Sequence, residues 1–212
     1  MKLSELTYAV VKNVKYLEDT GFTYNAFLNK NYDDDQDYAN SINNAMAPIN
    51  EAIHRLSDRN KILYQIASLG VPNDSLVNTS TFAKHIKKIK SVFYMNGDQY
   101  LKIGYREFGK GFIFIQSVTK CPLYVEYIED IPTFSKDDVY DKDKDIDLYN
   151  LGINETMCSY IIEYAQGKLQ EPIAPELANM HITRAEQYMD DLDEQQTGFN
   201  QEVVANKYGI SR

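Results

Sequence analysis

The sequence predicts an α+β fold, in which N-terminal and C-terminal helices form a bundle around a central, mostly antiparallel β-meander. Three observations predict it: apolar residues repeat at steps of three and four from Leu3 to Leu17 and from Ile42 to Leu56, the period falls to two between Ile86 and Ile128, and the helical period returns after Ile153. The segments that follow are 1–61 for the N-terminal helices, 62–134 for a β-rich module and 135–152 for an acidic loop. After them come 153–193, a helical hairpin packing with the N-terminal helices, and 194–212, an interaction tail.

Leu3, Leu6, Val10, Val14 and Leu17 place one apolar stripe along a first helix. Gly21, the Asn-rich stretch Asn25 to Asn31 and the acidic run Asp33 to Asp37 break that pattern and read as an exposed loop. Ile42, Ala45, Ile49, Ala52, Ile53 and Leu56 mark a second helix. Pro48 cannot donate to the preceding turn, so a kink or a fresh start is expected there. Four strands are expected at Ile86 to Tyr94, Tyr100 to Tyr105, Gly111 to Gln116 and Leu123 to Ile128, all rich in Ile, Val, Phe and Tyr. Asn96-Gly97 accepts the positive φ of a tight turn and should pair the first two as a hairpin. Ser135 to Asp147 has no apolar period and should be solvated. Asn154 is a good N-cap for a helix ending near Gly167, and a last helix starts near Pro175 with a seam of Ala178, Ile182, Ala185, Met189 and Leu192.

The composition is that of an ordinary soluble globular chain: 212 residues, 43% hydrophobic, enough to bury a core without disulfides or metals. Only Cys121 and Cys158 are available for a bridge, and no secretory pattern precedes the first helix, so an intracellular, reducing setting is expected. Apolar runs such as Phe112 to Ile115 fall far short of the roughly 18 residues of a membrane helix. With 22 Lys+Arg against 31 Asp+Glu, the net charge of −9 has the wrong sign for a free-standing nucleic-acid binder.

Signatures of catalysis are missing from the sequence: it has no Walker-type loop, no G-x-G-x-x-G after a strand, no G-x-S-x-G and no H-E-x-x-H. No enzyme, cofactor or metal function is therefore expected. His54, His85 and His181 are widely separated, and the two on predicted helices, His54 and His181, read as surface or boundary residues. Cys158 reads as a small core residue and Cys121 as a strand-entry residue next to Pro122. Asp141, Asp143 and Asp145 imitate the opening of a calcium loop, but Ile146 stands where the sharp turn wants Gly and Gly152 where a bidentate Glu is wanted. A solvated charged loop is the competing reading. An enzyme with a site assembled from residues such as Glu126, His85 or Cys121 is a further alternative.

Charge is unevenly placed. From Lys84 to Lys120 there are eight basic and two acidic residues, a net of +6, against −15 for the remainder. Lys87, Lys88 and Lys90 in this island could dock an acidic partner or nucleic acid, or could simply blunt a strand edge against aggregation. The 17 tyrosines suit either contacts or strands. At the C-terminus, Gly198 suggests that the core helix does not extend far, while Phe199, Val203, Val204, Tyr208 and Ile210 are too many apolar residues for a purely solvating tail. They are expected to order only on a partner; folding back on the same subunit is the alternative.

The order of elements, with "SVFYMNGDQYLKI" opening the strands, "PLYVEYIEDIPTF" closing them, and then "YNLGINETMCSYIIEYAQGKL" and "APELANMHITRAEQYMDDL", resembles the head-to-tail connector adaptors of tailed bacteriophages. These neck or ring proteins include the tail tubular proteins of short-tailed phages. The resemblance covers about residues 1–193 and includes the run Ile49 to Leu56 and the pair Tyr164-Ala165. It implies a structural virion protein assembled in the host cytoplasm, a dodecamer-like ring of about twelve copies, docked between the portal protein and tail or neck proteins. DNA would pass through without sequence-specific binding, and no membrane is involved. A non-viral intracellular protein-binding module with the same elements is the alternative.

Overall fold

The computed structural model describes residues 1–12, 23–29, 36–59, 61–62, 64–71, 75–81, 86–96, 99–107, 111–116, 121–140 and 145–208, with side chains throughout except at 36–38, 96, 129 and 195–208. The fold is α+β, and it divides into two compact units: unit 1 comprises Met1–Lys61 with Thr133–Arg212, and unit 2 is Ile62–Pro132.

Unit 1 starts with α1 (Leu3–Val11), whose Leu3, Leu6, Val10 and Val11 are buried. Val14 and Leu17, assigned to the same stripe, lie outside the described residues. The expected loop at Asn25 contains a short helix, α2 (Tyr24–Asn29). It forms because Phe27 is fully buried and its ring meets Tyr8 at 5.5 Å, a single anchor that no periodic pattern announces. The third helix, α3 (Gln36–Asp58), runs without interruption through Pro48. Pro48 is therefore not the first turn of a fresh helix; it leaves the Asn44 carbonyl without its intrahelical donor, at a residue that is exposed. Ile42, Ala45, Ile49, Ala52, Ile53 and Leu56 are all buried, as the period requires.

Unit 2 is built from strands in two sheets. The first is four-stranded, with β1 (Gln65–Gly70), β3 (Ile86–Asn96), β4 (Gln99–Ile103) and β7 (Leu123–Glu129) in the order β1-β7-β3-β4. The second contains β2 (Leu76–Asn78), β5 (Tyr105–Glu107) and β6 (Phe112–Ile115) in the order β2-β6-β5. All pairs are antiparallel, but the order is not that of a simple meander: β7 passes β6 and inserts between β1 and β3. The hairpin at Asn96 is present, with β3 and β4 in register to Asn96↔Gln99. One core joins the sheets, taking Val92, Ile103, Leu123 and Val125 from the first and Ile113 and Ile115 from the second. The chain crosses from sheet to sheet at Gly104, where a Cβ would press on the end of the Gln116 side chain and Gln116 N donates to the Gly104 carbonyl at 2.9 Å.

The chain returns to unit 1 through the segment expected to be a solvated acidic loop. Instead it forms α4 (Lys136–Tyr140) and a 3-10 turn at Leu148–Leu151. Phe134, Val139 and Leu148 are buried, too far apart to register as a period. Its carboxylates act locally: Asp138 accepts from Ser135 N at 2.7 Å before α4, and Asp145 accepts from Ser4 Oγ at 3.0 Å and pairs with Lys2 at 3.2 Å. Asp141 and Asp143, the other members of the calcium-like string, lie outside the described residues.

Helix α5 (Glu155–Gln170) begins as expected, with Asn154 Oδ1 accepting from Met157 N at 3.0 Å. It does not stop at Gly167. It packs on α1, α3 and α6 (Pro175–Tyr208). Ala178, Ala185, Met189 and Leu192 are buried along the predicted seam and Ile182 is half-buried. The backbone of α6 continues through Gly198, because one helix-interior glycine costs only about 1 kcal/mol relative to Ala and does not end a helix by itself. A helix, not a non-helical tail, thus occupies 194–208.

Candidate interaction surfaces

Lys87, Lys88 and Lys90 are all exposed on β3. This strand is interior in the sheet order, yet β4 pairs only with Val92 to Asn96, so the half carrying the lysines extends past its neighbour on that side. Lys90 reaches Glu126 Oε1 at 2.8 Å and lies 4.5 Å above the Tyr64 ring, while Ser91 Oγ donates to the other Glu126 oxygen at 2.9 Å. Both oxygens of Glu126 are thus engaged in the sheet. Phe199, Val203, Val204 and Tyr208 fall on the α6 backbone, with side chains outside the description, and Ile210 lies outside the described residues. His54 is exposed and His85 is outside the described residues.

His181 lies at the boundary between two helices, not on the open surface. It is only 8% exposed, and its Nδ1 lies 2.6 Å from Glu163 Oε2 across the α5–α6 pair. A second polar group links three helices. Arg55 of α3 sits 4.8 Å over the Tyr164 ring of α5 and 3.7 Å from Glu186 of α6, and the Tyr164 hydroxyl donates to Glu51. Burial, with that hydrogen bond, pushes the Tyr164 hydroxyl up to about 12. Lys61, nearly fully buried, pairs with Asp193 and joins the end of α3 to α6. These contacts fix the helices on one another; they converge on no groove.

Cys158 is 2% exposed, and burial pushes its thiol up to about 11. At pH 8 only about a thousandth of it is thiolate. Iodoacetamide at that pH is expected to leave Cys158 unmodified in the folded protein and to label it after denaturation, as read by peptide mass spectrometry. Among the described residues, no group of three or more His, Cys, Asp and Glu side chains is arranged to hold a metal ion, and no helix is long and apolar enough to cross a membrane.

Among the described residues, exposed apolar side chains gather at several places on the surface, including one cluster on each unit. On unit 2, Leu76 and Phe114 face each other across β2 and β6, with Phe112 on the same side of β6. On unit 1, Leu177 and Met180 open onto a shallow groove of about 730 Å³ with Ala174, Pro175 and Glu176 at the start of α6, and exposed Ile173 precedes it. Neither was legible in advance, because an apolar residue in a strand or helix reads as core until its neighbours are known. No protein-family model matches the sequence, and a search of curated proteins finds no match to it.

Proposed function

We propose that this chain is a structural virion protein, a head-to-tail connector adaptor that forms a ring between portal and tail and continues the DNA channel. The observation that carries the reading is the pair of separate exposed apolar clusters, Leu76, Phe112 and Phe114 on unit 2 and Ile173, Leu177 and Met180 on unit 1. A ring is closed by a contact between two different patches repeated by rotation, and large exposed apolar side chains are what such contacts bury. The element order that resembles connector adaptors supports the same reading. The charge of −9 per subunit does too, since a negative wall repels the DNA backbone and lets it slide. In this reading the protein takes no cofactor, assembles in the host cytoplasm and resides in the neck of the virion.

The test is co-assembly. The chain is expressed with the portal protein encoded near its gene and the particles are imaged. Rings of this subunit bound to the portal are expected, and Phe114→Asp or Met180→Asp should reduce ring formation at unchanged thermal stability. A protein that stays monomeric beside the portal, or that forms a one-to-one complex with a non-viral partner, would replace this reading with that of a binding module.

A further inference from the structure

We propose that the outer face of the four-stranded sheet in unit 2 binds single-stranded nucleic acid. The inference is independent of the ring and uses a different face from the apolar clusters above. Strand register places Tyr124 of β7, Phe93 of β3 and Lys102 of β4 side by side, and Met95 next to Tyr100 one step along the same face. Val92, Ile103 and Val125, alternate with these, point into the core. The rings form a row with one member from each of three adjacent strands: Tyr124 stacks on Phe93 with centroids 5.6 Å apart, and Tyr100 meets Phe93 edge-on at 5.3 Å. Phe93 is 6% exposed, held between its neighbours, whereas Tyr100 is 65% exposed. The middle ring thus braces the outer two, of which Tyr124 is half-buried and Tyr100 presents its face to solvent.

Charge decides between occupants of such a row. Among the described side chains its carboxylate is Glu126, which pairs with Lys90, while Lys88 and Lys102 are exposed and have no carboxylate partner there. Counted over unit 2, eight basic and six acidic residues give +2, so the other 14 basic and 25 acidic residues carry −11. The acidic total that argues against nucleic acid is therefore a property of unit 1. At about 0.1 M salt the Debye length is about 10 Å, and the local face governs what approaches it. The exposed Tyr100 ring, with half-buried Tyr124 behind it and flanking lysines, offers an unpaired base a π-surface and its phosphate a cation. A duplex keeps its bases stacked inside and gains nothing from the rings. An acidic peptide would use the lysines and leave the rings idle.

Fluorescence anisotropy of the full chain with a labelled oligothymidylate of about 15 nucleotides tests this. Binding at about 50 mM salt is expected, weakening as salt rises to about 200 mM. Tyr100→Ala should weaken it by about tenfold, and Lys102→Ala should lower the salt slope by about one. Tyr149→Ala, at an exposed position of unit 1, should leave binding unchanged, and thermal melts of all three verify folding. The proposal is overturned by no binding at the lower salt, by equal affinity for a duplex of the same length, by an oligoglutamate that competes as well as the oligothymidylate, or by a folded Tyr100→Ala that binds normally.

Discussion

Replacing Ile161 by Asp is expected to lower the stability of unit 1 by about 4 kcal/mol or more, enough to leave much of it unfolded given the usual total of about 5–15 kcal/mol. Ile161 is fully buried on α5, the helix that packs against α1, α3 and α6 together, so a carboxylate there has no route to water without parting the bundle. The urea midpoint followed by helical circular dichroism measures it. Ile161→Val, which removes one methyl group, should cost only about 1 kcal/mol and grades the effect where the Asp variant does not accumulate. An unchanged midpoint for Ile161→Asp would mean that this face of α5 is open to solvent.

Substitution at Gly167 is the second large expected effect, and its sign is set by competition. Ala would improve helix propensity by about 1 kcal/mol. Its Cβ, however, would lie 2.7 Å from Ile182 Cδ1 and 3.2 Å from the Ala178 carbonyl oxygen, and the carbonyl is backbone that cannot rotate away. Overpacking of this kind costs about 1–3 kcal/mol, so Gly167→Ala is expected to be destabilising on balance and Gly167→Leu to cost more than about 3 kcal/mol. A double-mutant cycle separates the terms: Ile182→Ala should cost stability in the native background and restore part of it in Gly167→Ala. Additive melting shifts would mean that the two helices do not meet there.

Glycine 167 also illustrates what the sequence conceals. Read alone, it marks a helix end; the structure uses it where α5 and α6 approach too closely for a Cβ, which only the partner helix reveals. In an antiparallel hairpin, residues equidistant from the connection meet, so Glu163 with His181 and Gly167 with Ala178 follow once the turn at 171–173 is known. Long amphipathic patterns such as Ile42 to Leu56, the Asn154 cap and the Asn96 hairpin were legible because each is a local signal repeated or fixed by one residue type. Phe27, Val139 and Leu148 were not, since a short helix or turn held by one buried side chain has no period. The β2 and β1 strands were missed for the same reason: three to six residues with half their side chains exposed lack a run of apolar residues. The interaction surfaces were the least legible, because exposure is a property of the fold and not of residue type.

Unit 2 is inserted into unit 1, and that division has a consequence for how the chain is made. Residues 1–61 leave the ribosome with the apolar faces of α1 and α3 complete, but α5, which covers both, follows only after the whole of unit 2 and α4. At the usual 5–20 residues per second the delay is on the order of ten seconds. Unit 2 is continuous in sequence and can close its own core during that interval, whereas the nascent N-terminal helices must wait with Leu6, Ile49 and Ile53 uncovered. Nascent chains stalled before α5 should therefore recruit a holdase chaperone through the N-terminal segment, and release it as α5 emerges.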